Sequence, residues 1–194
     1  GGTWSTIDDN TGEVTQMNMV FMGGYDCTDV WDLTKAEIQG REQVLKILEV
    51  LRLKIPGFEH AKLRNFGMTL GTRESRKIEG QSYLTEDDIL NEGRFEHSIG
   101  IYPEFVDRLN YLYIPTRGRY FQIPYGCLVP KNVDNLLVAG RTISGDRVAH
   151  CSFRNMSCCT VTGQAAGVAA AVSIKEDSTT SKVDVKKVQD VLRQ

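Results

Sequence analysis

The sequence predicts a mixed α/β chain whose amino-terminal part is α+β, and three stretches carry that prediction. Leu136 to Ala139 is a short continuous apolar run, the pattern of a strand buried on both faces. Met156 to about Ile174 is rich in glycine and alanine, so a helix there can lie close against a sheet or another helix. Thr34-Lys-Ala-Glu37 reads as a capping box, in which the threonine oxygen and the glutamate each satisfy an orphan backbone donor at a helix start.

Taken in order, residues 12–22 alternate around Val14, Met17, Met19 and Phe21, as a half-buried strand would, and Gly23-Gly24 ends it. The helix opened at Thr34 keeps Ile38, Val44, Leu45, Leu48 and Leu51 at roughly helical spacing until Pro56-Gly57 stops it. Leu63 to Ile78 reads as extended chain broken by Gly67 and Gly71. Thr85 caps a short helix through Asp88 and Leu90, and 93–119 is irregular with short strands. Tyr120 to Val129 is a strand pair or an extended run with a turn at Tyr125-Gly126. A last helix starts at Ser181 and buries Val185, Val188 and Leu192.

A chain of 194 residues can hold one domain with a sizeable core, or a core plus a cap. Its net charge of -2, with no basic run between aromatics, excludes a nucleic-acid footprint. No apolar stretch approaches the roughly 18 residues of a membrane span, so a soluble protein is expected. Gly1-Gly-Thr-Trp4 lacks the charged start and apolar middle of a signal peptide. The five cysteines, Cys27, Cys127, Cys151, Cys158 and Cys159, show neither C-x-x-C nor metal-ligand spacing. They read as buried thiols of a reducing compartment, which favours the cytoplasm without fixing it. Asn155-Met-Ser157 matches a glycosylation acceptor by accident of composition.

The chemistry-bearing stretch is the last third. A helix starting at Asn155-Met156 points unpaired N–H groups and the positive end of its dipole at whatever lies in front, so it favours negative charge there. Arg73-Glu74-Ser75-Arg76 is the other polar concentration. On extended chain Arg73 and Ser75 face one side and Glu74 and Arg76 the other, so one face can present a cation to a carboxylate. A solvated or internally paired face is the alternative.

Four strings occur in order: Pro124-Tyr-Gly-Cys-Leu-Val-Pro-Lys131, Val133-Asp-Asn-Leu-Leu-Val-Ala-Gly-Arg-Thr-Ile-Ser144, Ser152-Phe-Arg-Asn-Met156 and Thr162-Gly-Gln-Ala-Ala-Gly-Val-Ala-Ala-Ala171. Together they resemble the carboxy-terminal end of the FAD-dependent oxidoreductase family related to fumarate reductase and succinate dehydrogenase flavoproteins. Asp32-Leu-Thr-Lys-Ala-Glu-Ile38, Pro56-Gly-Phe58, Gly71-Thr-Arg-Glu-Ser-Arg-Lys-Ile78 and Tyr83-Leu-Thr85 resemble the same family's substrate-side segment. The resemblance runs from about Asn18 to Leu192.

It implies a portion of a two-domain FAD-binding fold, with a substrate-side or cap segment at 1–119 and the carboxy-terminal part of the FAD-binding domain at 120–194. No strand-GxGxxG-helix unit with an acidic residue about 20 positions on occurs in the chain. The amino-terminal Rossmann unit is therefore expected from another segment or chain, as in a heteromeric or cleaved protein, and the isolated chain is expected to bind FAD weakly or not at all and to be inactive. By the resemblance Gly140 and Arg141 end the last strand of the FAD sheet, and Ile143 and Ser144 continue along the cofactor. Asn155 and Met156 meet the pyrimidine edge of the isoalloxazine. Arg154 touches the cofactor or forms a structural ion pair. Arg73 and Arg76 are the candidate contacts to substrate, and His150 is a candidate acid–base group.

Members of the family often carry arginine where Gly126 stands, cysteine at Thr142, histidine at Arg147 and valine-methionine-proline at Asn155-Met-Ser157. Cys159 matches a family cysteine, and a disulfide to adjacent Cys158 is not expected. The expected function is an FAD-dependent oxidoreductase in which substrate exchanges a hydride with flavin N5. The alternatives are a non-catalytic assembly or binding subunit that keeps the fold, and a flavoenzyme without net redox such as an isomerase or lyase. No metal is expected.

Overall fold

A computed structural model describes residues 4–108 and 111–194. The chain divides into two compact units, Gly1–Ser75 and Arg76–Gln194. This boundary concerns packing, whereas the expected one at 119/120 concerns role. Helix and sheet are mixed in both units.

In the first unit β1 (Trp4–Ile7) pairs antiparallel with β2 (Val14–Asn18), in register from Trp4↔Asn18 to Ile7↔Val14. The hairpin turn is held by Asp8, whose Oδ1 accepts the N–H groups of Asn10 and Thr11 at 2.9 and 3.0 Å. Those bonds hold its carboxyl below the usual aspartate range. The strand anticipated over 12–22 is thus shorter, and its partner lies in the first residues, where no alternation marked it.

Helix α1 (Val30–Lys54) begins a turn before Thr34. Asp29 is the cap, accepting from Trp31 N and Asp32 N. Thr34 lies inside the helix and donates back to Val30 O at 2.7 Å. Glu37 accepts instead from the distant Leu70 N. The expected capping box therefore does not form, because a better-placed carboxylate already holds the first-turn donors. The helix ends at Ile55, as Pro56-Gly57 requires. Its inward face buries Ala36, Gly40 and Leu51, while Trp31, Ile38, Leu45 and Leu53 stay exposed.

The second unit holds the main core. β3 (Ser98–Pro103) pairs antiparallel with β6 (Tyr120–Pro124), and a short β4 (Val106–Arg108) pairs with β5 (Tyr111–Tyr113). α2 (Glu86–Leu90) carries the anticipated cap: Thr85 and Asp88 satisfy each other's backbone reciprocally. α3 (Arg147–Phe153), α4 (Met156–Lys175) and α5 (Val185–Leu192) complete the unit. α5 is capped by Asp184, a turn later than the expected start; Ser181 donates instead to Asp134 Oδ1. Val188 is fully buried on it.

α4 crosses β3 at Gly100, where an added Cβ would lie 2.3 Å from Val161 Cγ1. Close approach of helix and strand thus requires glycine there. α4 is also, by length and composition, long and apolar enough to cross a membrane, contrary to the expectation that no stretch approaches a span. Cys158, Thr162, Ala165, Ala169 and Val172 are nevertheless buried within the unit, as on a core helix.

The expected buried strand at Leu136–Ala139 is not formed. Leu136 is exposed, the next three residues are half-buried, and Val138 N donates to Leu128 O at 2.9 Å in an otherwise unassigned stretch. An apolar run becomes a strand only where neighbours supply a ladder, and among the described residues none flanks it.

Candidate functional site

Three stretches of irregular chain form the platform under the expected site. Residues 78–84 run between 126–131 and 142–146. Gln81 N donates to Val129 O (2.9 Å), Ser82 N to Gly126 O (3.1 Å), Ile78 N to Thr142 O (3.0 Å) and Ser144 N to Cys127 O (3.0 Å). The stretches approach so closely that a Cβ on Gly80 would sit 2.7 Å from both Gly126 O and Ser144 Cβ. One on Gly126 would sit 2.4 Å from Ser82 Oγ. The arginine that family members often carry at this position has no room here.

This packing decides where two expected contacts lie. Ile143 and Ser144 have 0% exposure. They form a sealed layer of the platform, with the Ser144 hydroxyl lacking a hydrogen-bond partner among the described residues.

Gly140 opens a single 3-10 turn, Gly140–Thr142, at φ +78°, a backbone region that favours glycine. Its N–H donates to Thr162 Oγ1 at 3.0 Å, and its Cα faces Cys159, whose Sγ would lie 3.7 Å from an added Cβ. Both partners sit in the first turns of α4, so Gly140 and Arg141 stand beside the start of that helix. Burial raises the Cys159 thiol above its ordinary value, and the nearby Arg141 guanidinium opposes that shift.

The start of α4 is open. Asn155 is its cap residue by backbone angle, yet its side chain makes no capping bond. The Nδ2 turns back to donate to Ser152 O at 2.7 Å and Cys151 O at 3.3 Å, tying α4 to the end of α3. Met156 follows at 89% exposure, unusual for a large apolar side chain. The expected helix N-terminus at Asn155-Met156 is present as read.

Arg154 points elsewhere. Its side chain is nearly buried, and Nη2 donates to Asp107 O (2.7 Å) and Asp107 Oδ2 (3.0 Å). The ion pair, one of the two readings open in the sequence, is formed, and Nε is buried without a hydrogen-bond partner among the described residues. His150 lies in the core at 1% exposure, edge-to-face with Phe153 at 5.4 Å. The imidazole is enclosed among the core residues of this unit.

The division between the units passes between Arg73 and Arg76. No strand forms across 73–76, so the expected alternation is lost. Arg73 and Arg76 are both exposed, and Glu74 and Ser75 are both half-buried. Arg73 falls in the first unit and Arg76 in the second, two residues before Ile78, whose N–H donates to Thr142 O.

Two features escaped the sequence. Asp146 caps α3 through Val148 N (2.9 Å) and Ala149 N (2.7 Å), and it also accepts from Glu86 N at 2.6 Å. Ser144-Gly-Asp146 before an apolar pair was the available signal. Glu104, at 0% exposure, accepts from Arg119 Nε (2.6 Å) and Tyr113 Oη (2.9 Å). Arg119 also reaches Leu90 O at 2.7 Å and Glu92 at 3.3 Å. No local pattern links residues so far apart in the chain.

Among the described residues no group of acidic, histidine or cysteine side chains could hold a metal ion. Compared with known proteins, residues 4–192 match the family model described as FAD dependent oxidoreductase. No curated protein and no solved structure matches the chain.

Proposed function

The chain belongs to the FAD-dependent oxidoreductase family, and from that premise we propose that it closes a flavin site and supplies substrate contacts for hydride transfer. FAD is the cofactor of this family. The residues at the start of α4 fit such a group. The uncapped first turn offers backbone donors, Met156 offers an exposed apolar surface, and Gly140 brings bare backbone alongside. That uncapped helix start beside Gly140 is the observation that carries the reading.

When bound, the flavin supplies the redox chemistry, exchanging a hydride with substrate at N5. The chain's own residues orient and polarise. The α4 terminus stabilises negative charge at the pyrimidine edge, as helix starts stabilise phosphates. Gly140, Arg141, Asn155 and Met156 meet the cofactor directly. Ile143 and Ser144 hold the platform from the sealed layer beneath. Arg154 fixes the α3–α4 corner through Asp107. Arg73 and Arg76 serve as cations for a substrate carboxylate, and the enclosure of His150 supports a packing role over acid–base work.

In this reading 120–194 is the carboxy-terminal part of the FAD-binding domain and 1–119 the substrate side. The phosphate-binding walls come from a Rossmann-containing segment or chain. The order of the motifs supports a relationship to fumarate reductase and succinate dehydrogenase flavoproteins. The closed packing at Gly126 favours a second reading, a non-catalytic subunit that keeps the fold, since that position cannot present a side chain.

A visible spectrum of the native protein with every co-purifying chain tests the proposal. Flavin absorbance that bleaches anaerobically with substrate is expected. A colourless preparation would sink the flavin reading, and bound flavin that never bleaches would favour the second. Stoichiometric flavin on residues 1–194 alone would overturn the sharing of the site.

A further inference from the structure

In the first unit, residues 61–70 run back along α1 without secondary structure, and polar bonds fasten them at both ends. Arg52 Nε donates to Ala61 O at 2.8 Å. At the other end Arg41 Nη2 donates to Met68 O at 2.9 Å, and Glu37 accepts from Leu70 N. The helix rises about 16 Å between Arg41 and Arg52, whereas the chain from Ala61 to Met68 can span about 23 Å. The segment is therefore long enough to arch between its pins.

Beneath the arch lies a groove of about 810 Å³ between α1, β2 and residues 58–68. Its α1 wall is Val44, Ile47 and Leu48, which lie between the pinning arginines. Met17 and Met19 close the β2 side. Phe66 and Met68 come from the arch, with the Arg41 guanidinium 5.0 Å from the Phe66 ring centre. The volume falls in the range of about 300–1,000 Å³ typical of small-molecule sites. Methionine lining adapts to irregular apolar shapes.

The charges on the groove are unequal. Lys62 and Arg64 line it with no ion pair among the described residues, and Glu13 is the one acid in the lining. A groove whose apolar walls are Val44, Ile47, Leu48, Met17, Met19 and Phe66, with two cations against one acid in its lining, favours a molecule with an apolar body and a single anionic end. We propose that this groove binds an amphiphilic monoanion, its chain under the arch and its carboxylate at Lys62 and Arg64. The proposal rests on residues 13–68 alone and does not need the flavin reading.

The test titrates the full chain, labelled at its methionine methyl groups, with dodecanoate, dodecanol and dodecyltrimethylammonium below their aggregation limits. Dodecanoate should shift the Met17, Met19 and Met68 signals, leave Met156 unmoved, and bind more tightly than the other two. Lys62→Glu combined with Arg64→Glu should weaken dodecanoate by about tenfold or more and spare dodecanol. Both side chains are exposed, so an unchanged far-ultraviolet spectrum is expected. On the unaltered protein, added salt should weaken dodecanoate and not dodecanol. Absence of dodecanoate binding, equal affinity for dodecanol, insensitivity to salt, or shifts confined to Met156 would each overturn the proposal.

Discussion

Replacing Glu104 by glutamine should lower the stability of the second unit, chiefly by removing a charge, with the amide NH2 taking the place of the partnerless Oε2. Glu104 is fully buried, and its Oε1 holds Arg119 Nε at 2.6 Å and Tyr113 Oη at 2.9 Å. Through Leu90 O, the same guanidinium ties the 117–119 turn to the end of α2. Glutamine keeps the shape and an acceptor oxygen. A hydrogen bond to a charged group contributes about 1.5–3 kcal/mol against about 0.5–1.5 for a neutral one. The Arg119 side chain is 36% exposed, so solvent screening places the loss near the low end, about 1 kcal/mol.

Glu104→Ala removes both bonds and should cost about 2 kcal/mol, more than Glu104→Gln but short of a fully buried pair, since the Arg119 left behind is partly solvated. In a chain of this length about 1 kcal/mol moves Tm by roughly 2–4 °C. The pH dependence gives a sharper sign. Arg119 lowers the Glu104 carboxyl below its ordinary value of 4.5, burial opposes that shift and Tyr113 reinforces it. A carboxyl lowered on folding contributes stability that is present above the unfolded value and lost as pH falls through the folded one. Thermal melts followed by circular dichroism from neutral pH into acid should therefore show the gap between the native protein and Glu104→Gln closing below about pH 4.5. Equal Tm at neutral pH, or a gap that persists through acid, would refute the reasoning.

Other outcomes follow from contacts already described. Asp29→Ala should destabilise α1 by about 1 kcal/mol in urea unfolding, and Thr34→Ala by clearly less, because Asp29 holds the first-turn donors. Gly145→Ala would place a Cβ 2.7 Å from Phe153 Cε1 and 2.9 Å from Leu84 O, so melting should drop by the equivalent of about 1–3 kcal/mol. Thr162→Val strips the acceptor from Gly140 N–H at a cost of about 1–3 kcal/mol. On the proposed reading it should also weaken flavin retention in the native assembly, measured by equilibrium dialysis.

Local signals were legible where neighbours in sequence are partners in space. The Thr85–Asp88 box, the stop at Pro56-Gly57 and the extent of α4 all follow from bonds or spacings within a turn or two. Thr34-x-x-Glu37 shows the limit of that logic. Its pattern is sound, but Asp29 caps first and Leu70 N claims Glu37. Leu136–Ala139 shows another limit, since hydrophobicity specifies burial and not which strand will lie alongside.

By itself the sequence determined the family, the mixed helix-and-sheet class and the open helix start at Asn155-Met156, because each rests on residue order or on i to i+4 spacing. Tertiary structure alone decided that Arg154 is bound to Asp107, that His150 is enclosed and that Ile143 and Ser144 lie beneath the surface. It alone showed that residues 61–70 leave a groove over α1. Those outcomes depend on segments far apart in the chain competing for the same backbone donors and the same volume, and no local pattern records who wins.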